Sequence, residues 1–345
     1  MTEKKKRIID ILEEERANYF RTFHGKLSKI VIIEVNKWNM NRIFPYIISC
    51  ARNASFVSID LELSGLGPQN FIGQDMLYRY KIICETARTR SIISVGLCMF
   101  RLLKCTEKKK KKRIKYECQV FNILTMRAVP FIVEPNSMKF LAKNNFDMNE
   151  LFSSSLFHTS VEVHKVILLQ GDTMRSIWSE ILAARIPVVF HNGLIDLFFI
   201  YQNFYLGLPE SCDEFIANIS DWFNLEESCG VYDSKYVAEM DFNTKRTSLE
   251  YIFRKCQRNN VLEANCSRAF ISISFDYHLL SEDPTTDFIY SIDCSLPDGF
   301  YENPPRIDVY HDSTIKQLCS NYLVIRFFLL KFLKFSFYHF YYFYN

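Results

Sequence analysis

The clearest hydrophobic pattern in the chain is an alternation of apolar and polar residues from Phe56 to Gly67. The apolar positions are Val57, Ile59, Leu61 and Leu63. Because alternate residues of a strand share a face, this period predicts a β-strand whose second face carries Asp60 and Glu62. Two adjacent carboxylates on a buried strand repel each other unless a cation, most simply a divalent one, neutralises them. The alternative is an exposed edge strand on which both acids are solvated.

Other periodic segments predict strands and helices around this central strand. The predicted strands are residues 30–35, 91–103, 116–125 and 188–190. The predicted helices are residues 5–20, 41–52, 76–89, 172–185 and 248–258. A further helix, apolar and aromatic, ends at residue 206, and one or two short helices lie within residues 131–157. Residues 231–240 are predicted to form a short strand followed by a helix. Strands first, followed by alternating strands and helices, predict an α/β fold with a mixed β-sheet flanked by helices.

Composition adds only broad limits. The chain has 345 residues, enough for one large domain with extensions or for two small ones, and its formal charge of +3 does not by itself indicate nucleic-acid binding. Its eleven cysteines are scattered and form no C-x-x-C pair, which favours reduced thiols inside a cell. No apolar stretch follows the charged N-terminus, so no signal peptide is expected.

A basic run, residues 104–113, lies between two predicted strands and contains five consecutive lysines. One interpretation is a solvated hairpin loop that protects a sheet edge. The other is a nuclear localisation signal or a patch that contacts phosphates. Both interpretations can hold together.

Asp196 is a third candidate acid, placed near the start of a helix that follows the short apolar strand 188–190. If that strand lies beside the central one, Asp196 can converge with Asp60 and Glu62. An all-oxygen ligand set favours Mg²⁺ or Mn²⁺. Such sites can hold two metal ions about 3.5–4 Å apart and catalyse in-line phosphoryl displacement.

Several phrases together resemble the CAF1-type DEDD 3′-exonucleases, a family that includes the poly(A)-specific ribonucleases. The longer runs are residues 55–67, 78–91 and 190–210. The most specific phrases are His191-Asn192-Gly193-Leu194-Ile195-Asp196-Leu197, residues 201–205, residues 208–210 and Tyr232-Asp233-Ser234-Lys235-Tyr236.

The resemblance covers roughly residues 29–300. It implies a ribonuclease-H-like fold, two divalent metal ions (Mg²⁺ or Mn²⁺) and release of nucleotides from RNA 3′ ends. The RNA would be poly(A) or small nuclear RNA, and the location the nucleus. Family members can form dimers, so a homodimer is expected to be possible. No binding to a membrane is expected.

The same resemblance assigns roles to individual residues. Asp60 and Glu62 match the first two family acids and Asp196 matches the third, as catalytic residues and metal ligands. The candidates for substrate contact or for support of the acids are His191, Asn192, Arg88 and Arg90. In isolation, His191 is equally well explained as a histidine satisfied within the core.

The sequence departs from the family at the fourth motif, in which a His acts as general base and an Asp, separated from it by four residues, binds metal. Residues 278–283 have a similar spacing but lack the Ala-Gly and the following helix, so a loop is favoured there. Asp233 matches a neighbouring structural motif. We therefore expect a poor nuclease as written. The alternative is a non-catalytic RNA- or protein-binding module that retains the fold.

These observations divide the chain into an N-terminal helical extension (1–28), an exoribonuclease domain lacking its last motif (29–300) and an atypical apolar tail (301–345). Residues 318–322 resemble the start of a C-C-C-H zinc finger. Residues 323–345 are mostly Phe, Tyr, Leu and Lys. Our hypothesis is that this segment is translated intron or a mispredicted exon. The alternatives are an apolar C-terminal helix packed on the domain and a membrane anchor.

Overall fold

A computed structural model describes residues 27–68, 75–108, 111–158, 173–223, 230–240, 246–265, 269–275 and 287–295. The predictions for the N-terminal helix 5–20, the segment 278–283, the zinc-finger-like phrase and the apolar tail lie outside these residues. Within them, no helix is both long and apolar enough to cross a membrane. The cysteines in the same residues are all free thiols.

Nine strands of the described residues form one mixed sheet. They are β1 (Lys29–Val35), β2 (Phe56–Leu63), β3 (Ile92–Lys108), β4 (Lys111–Arg127), β5 (Leu156–His158), β6 (Val188–Phe190), β7 (Val231–Asp233), β8 (Phe270–Phe275) and β9 (Ile289–Asp293). The main strand order is β7-β6-β2-β3-β4-β1-β9, and β5 and β8 also pair with the long strand β4. The predicted α/β class with a mixed sheet is confirmed.

Helices cover both faces of this sheet. They are α1 (Met40–Asn53), α2 (Met76–Thr89), α3 (Pro135–Lys143), α4 (Met148–Ser154), α5 (Thr173–Ala183), α6 (Leu194–Ile200), α7 (Cys212–Trp222), α8 (Ser234–Met240) and α9 (Leu249–Asn265). The main core packs α1, α2 and α5–α7 against one face, and a second cluster packs α9 against the other. Strands buried on both faces explain why the apolar segments of the sequence are so dense.

Several elements differ from the predictions: the helix predicted as 248–258 extends to Asn265, and the predictions did not include β5, β8, β9 and α7. Two further differences concern the kind of structure. The apolar helix ending near Leu206 changes after Ile200 to a π-helical turn, Tyr201–Tyr205. There the Asn203 side chain donates to the Phe199 carbonyl at 2.9 Å, and Arg175 donates to the Tyr205 carbonyl at 2.6 Å. These side chains satisfy carbonyls that a regular helix would pair internally.

The basic run 104–113 is the second difference, because it is mostly strand and not loop. The β3–β4 ladder continues as far as the pair Lys108↔Lys111. The prediction that the run connects two paired strands is therefore confirmed, but residues 104–108 and 111–113 belong to these strands and not to a loop. A charged run gives no hydrophobic alternation from which a strand can be recognised.

Phe121 lies on β4 at the centre of the sheet and is completely buried. We expect Phe121→Ala to lower the free energy of unfolding by about 3–5 kcal/mol, because it removes buried apolar surface and leaves a cavity. The matched control is Phe152→Ala, at a side chain that is 67% exposed, which should change stability by roughly 0.5 kcal/mol or less. Urea denaturation measures both. Equal losses would contradict the position of Phe121 in the core.

Candidate functional site

The strand that carries Asp60 and Glu62 is central, not peripheral. β2 pairs antiparallel with β3 from Phe56 to Leu63 and parallel with β6 at Val57 and Ser58, so it lies between two strands and not at the edge of the sheet. Asp60 is only 9% exposed and Glu62 only 3%. The interpretation of an exposed edge strand with solvated acids is therefore wrong, and burial of both acids requires interactions that compensate for lost hydration.

An open cleft of about 700 Å³ lies over the C-terminal half of β2. Because β6 runs parallel to β2, the loop that follows Phe190 reaches the same end of the sheet. His191, Asn192 and the half-buried Asp196, which belongs to the first turn of α6, line this cleft together with Asp60 and Glu62. The three candidate acids therefore line one cleft. The sequence analysis made this conditional on β6 lying beside β2, and the two strands are paired.

The acids share a cleft without forming a closed ligand set. Carboxylate oxygens are the donors that a hard divalent cation prefers. However, no group of three or more His, Cys, Asp or Glu among the described residues could hold a metal ion as they stand. The donors therefore fit such a cation in chemical type, but the expected close convergence of three acids is not present. Asp196 is carried by a helix, whereas Asp60 and Glu62 belong to the sheet.

Asp233 holds the loop that closes this end of the cleft. Its carboxylate accepts hydrogen bonds from the backbone N–H groups of Asn192 and Gly193, both at 3.0 Å. It also accepts from the N–H of Lys235 at 2.8 Å, at the start of α8. Asp233 is not among the residues that line the cleft. Its role is to fix backbone groups of two segments, in line with the structural assignment made from the sequence.

The loop held by Asp233 has an unusual backbone. Asn192 has a φ of 58°, in the left-handed region that Asn tolerates better than most residues. At the next position, a Cβ would lie 2.2 Å from Cβ of Phe190, so Gly193 is the residue that fits. The phrase His191-Asn192-Gly193 is therefore explained by conformation and packing.

Two polar contacts orient side chains that face the cleft. Nδ1 of His191 lies 2.9 Å from the hydroxyl oxygen of the buried Ser234. Nζ of Lys235 donates to Oδ1 of Asn192 at 3.2 Å. His191 is half-buried and lines the cleft, so it is not a fully enclosed core histidine. Lys235 places a cation beside the acids.

The opposite wall of the cleft is organised by Glu134. Its carboxylate accepts from the N–H of Gly67 at 2.9 Å and of Leu66 at 3.1 Å. The Arg90 guanidinium lies 2.8 Å from the same carboxylate. Gly67 has a φ of 73°, and a Cβ on Gly65 would lie 2.5 Å from Glu134 Cδ. These contacts fix the loop that leaves β2 directly after Glu62.

The two candidate arginines therefore have different surroundings. Arg90 is largely buried in its pair with Glu134, behind the wall of the cleft. Arg88 donates from Nη2 to the Leu208 carbonyl at 2.7 Å and ties α2 to the segment after the π-helical turn. Neither arginine is among the residues that line the cleft.

Sequence reasoning missed Glu134 and Lys235 as cleft residues. Glu134 precedes Pro135 at the start of α3 and contacts a loop 67 residues earlier in the chain. No local pattern encodes such a contact. Lys235 lies within the quoted phrase Tyr232 to Tyr236, and its basic character next to Asp233 was the available signal.

We expect Asp233→Asn to lower the free energy of unfolding by about 1–3 kcal/mol. The amide NH₂ would face a backbone N–H, and hydrogen bonds to a charged acceptor would be lost. Asp221→Asn, at an exposed position, is the matched control and should have an effect below roughly 0.5 kcal/mol. The measurement is urea denaturation at neutral pH. If the two variants behave alike, the carboxylate does not support the loop.

Glu134 predicts a pH-dependent contribution to stability. Burial acts to raise its pKa, but hydrogen bonds from Arg90 and from the amides of Leu66 and Gly67 outweigh it and hold the pKa below the usual 4.5. Since the folded-state pKa is lowered, this stability is present above about pH 4.5 and is lost as pH falls through the folded-state value.

The test is to compare wild type with Glu134→Gln by urea denaturation over a pH series. The difference in stability should be full at neutral pH and shrink in acid. Glu85→Gln, at an exposed position on α2, is the control and should show a small, nearly constant difference. A Glu134→Gln deficit that persists unchanged in acid would show that charge is not its cause.

Comparisons with known proteins relate the chain to a family. A sequence model of the CAF1 family ribonuclease matches residues 35–166 and 157–284. The poly(A)-specific ribonuclease PARN of Danio rerio is 25% identical over 144 residues, which are 38% of this chain and 21% of that protein. The matched region thus spans about a fifth of the length of this curated relative.

Similar solved structures have low sequence identity. The chain aligns with S. pombe Pop2p in its Mg²⁺- and Mn²⁺-bound form at 15% identity and a TM-score of 0.46, over 66% of this chain and 82% of that one. It aligns with the RNase domain of yeast Pop2 at 13% sequence identity and a TM-score of 0.46, over 66% of this chain and 76% of that one. It aligns with a yeast structure of the NOT1 MIF4G domain co-crystallized with CAF1 at 14% sequence identity and a TM-score of 0.43, over 65% of this chain and 77% of that one.

The family match covers more than half of the chain and includes β2 with both buried acids, the loop after β6 and Asp196. The chain therefore belongs to the CAF1 family of ribonucleases.

Proposed function

We propose that this protein is a metal-dependent 3′-to-5′ exoribonuclease that trims RNA 3′ ends. The observation that carries the proposal is that Asp60, Glu62 and Asp196, the acids matching the family's first three catalytic positions, line one cleft of about 700 Å³. Membership of a ribonuclease family supports the reaction class. The substrate would be a poly(A) or small nuclear RNA tail, and the location the nucleus.

Within the family, we place the chain nearest to the branch of the animal protein called target of EGR1. The support is the phrase His191 to Leu197, the segments 201–205 and 208–210, and the phrase Tyr232 to Tyr236. These phrases include residues that line the cleft, among them Asn192 and Lys235, which contact each other.

The acids would hold one or two divalent cations, Mg²⁺ or Mn²⁺. Such cations, when bound, polarise a phosphodiester for in-line attack by water. Asp60 and Glu62 would supply oxygen ligands from the sheet, and Asp196 would supply one from the opposite side of the cleft. This assignment requires Asp196 to approach the other two acids, because no three-residue ligand set exists among the described residues.

Other residues of the cleft would bind and orient the RNA. Lys235 lies beside Asn192 and would attract a phosphate by its charge. The contact between Ser234 and Nδ1 fixes the ring of His191 at the edge of the cleft. Leu66 is 45% exposed and lines the other wall, where it would offer an apolar contact to a base or ribose.

The proposed enzyme would be weak in the form given by this sequence. The fourth family motif supplies a general base and a fourth acid, and no matching phrase occurs in the chain. Asp233 is a poor substitute, because its carboxylate already accepts several backbone hydrogen bonds. A general base typically contributes 10²–10⁴-fold, so a chain extended to include the fourth motif should be faster by about this factor.

Metal binding gives the first test of the site. Mg²⁺ or Mn²⁺ should raise the midpoint of thermal unfolding, because a ligand of the native state stabilises it, by about 2.7 kcal/mol at a hundredfold excess over Kd. Asp60→Asn with Glu62→Gln should abolish the shift, whereas the control pair Asp221→Asn with Glu85→Gln should retain it. If Mg²⁺ or Mn²⁺ still raises the unfolding midpoint of the variant Asp60→Asn with Glu62→Gln, the metal binds at another site.

Activity is tested with end-labelled RNA carrying either a free or a blocked 3′ hydroxyl. Trimming should require a free 3′ hydroxyl, and Asp60→Asn should abolish the trimming activity. The extended chain and the present chain are compared in the same assay. RNA binding with no trimming by either form would instead support the non-catalytic binding module.

A further inference from the structure

The distal half of the β3–β4 hairpin presents a basic surface that the proposed nuclease site does not use. We call it the cationic ribbon and define it by Arg101, Lys104, Arg113 and Lys115. Cross-strand partners share a face, and Lys104 is paired with Lys115 and Arg101 with Glu117. In the sequence, the lysine run 108–112 lies between Lys104 and Arg113.

The opposite face of the same strands is apolar and covered. Ile114 and Tyr116 are each 2% exposed and pack with Phe253 of α9. By contrast, Lys104 and Arg113 are exposed. The ribbon is therefore held on a rigid sheet, with its cations on the solvent side and hydrophobic packing behind it.

The register brings like charges together. Lys104 lies directly opposite Lys115. Like charges at such positions destabilise a sheet unless an anion compensates for them. Glu117, which pairs with Arg101 at 2.7 Å, is the acidic partner that the structure places on this face. The geometry is that of a binding surface for a polyanion.

The strand pairing of the basic run helps to decide between a nucleic acid and a localisation receptor as its partner. A localisation signal that is recognised as an extended peptide must expose its own backbone and side chains to the groove of the receptor. Here the run is held in the β-ladder through Lys108↔Lys111, and β8 occupies the other edge of β4 from Arg113 onwards. A rigid array of cations suits the phosphates of a nucleic acid better than it suits a receptor for extended peptides.

We propose that the cationic ribbon is a second RNA-binding surface that contacts the phosphate backbone away from the cleft. The partner class rests on the proposed function. Asp60 is paired with Gly96 on β3, and Lys104 lies eight residues further along that strand, about 25 Å away at the usual rise per residue. Only an RNA long enough to span this distance could occupy both surfaces.

The main variant is Lys104→Gln with Arg113→Gln and Lys115→Gln. Its control replaces three exposed lysines on other elements, Lys29, Lys81 and Lys143, with Gln. A 3′-blocked RNA is the probe, because it binds without being trimmed. Fluorescence anisotropy is measured over a salt series with RNAs of about 16 and about 4 nucleotides.

Each lost phosphate contact should flatten the plot of log K against log salt by about 0.7, so the main variant should lose roughly two units of slope on the longer RNA. The control should lose much less. Thermal unfolding checks the fold, and since the variant removes a like-charge pair, its midpoint should not fall. Equal slopes for wild type, main variant and control would overturn the proposal.

Two further outcomes separate the proposals. The main variant should lose the same amount of slope in the wild-type background and in the Asp60→Asn background. If the extended chain shows no trimming while the slope still depends on the ribbon, the nuclease proposal is wrong and the ribbon proposal stands. If replacing lysines 108–112 abolishes nuclear accumulation of the protein while the slopes of all variants stay equal, the run is a localisation signal and the ribbon proposal is wrong.

Discussion

The burial of two carboxylates on the central strand is the constraint on which the rest of the site depends. Asp60 and Glu62 lie on a strand that pairs with β3 along its whole length and with β6 at Val57 and Ser58, and both acids are almost completely removed from solvent. Such a placement costs free energy that hydrophobic residues at the same positions would not cost. The cleft above them, and the polar and basic groups that line it, are consistent with selection for chemistry at the expense of stability.

The loops around the acids are held by two further carboxylates with a different role. Asp233 fixes the loop after β6, and Glu134 fixes the loop after β2. In both cases the acid accepts hydrogen bonds from backbone N–H groups, and at Glu134 an arginine contributes as well. Acids of the same residue types thus serve as candidate ligands in one place and as supports in another, and only their hydrogen-bond partners distinguish them.

The long hairpin separates two kinds of electrostatic surface. Near the cleft, β3 pairs with β2, which carries the two buried carboxyl groups. Farther along, β3 itself carries the exposed cations Arg101 and Lys104. Under the two proposals made above, the exposed cations would attract a polyanionic substrate, and the chemistry would take place at the buried acids.

The sequence by itself determined the strand that carries Asp60 and Glu62, the order of most helices and strands, and the family. These depend on local periodicity and on contiguous phrases such as Ser55 to Gly67 and His191 to Leu197. It also identified Asp60, Glu62 and Asp196 as candidates, although their joint role as ligands stays a prediction.

Only the tertiary structure decided that β2 is central, that Asp196 shares its cleft without closing a ligand set, and that Arg88 and Arg90 lie outside the lining. It also decided the part played by Glu134, because its contacts join residues 67 positions apart. Strand order, register and long-range hydrogen bonds arise from packing of the whole chain, and no local pattern records them.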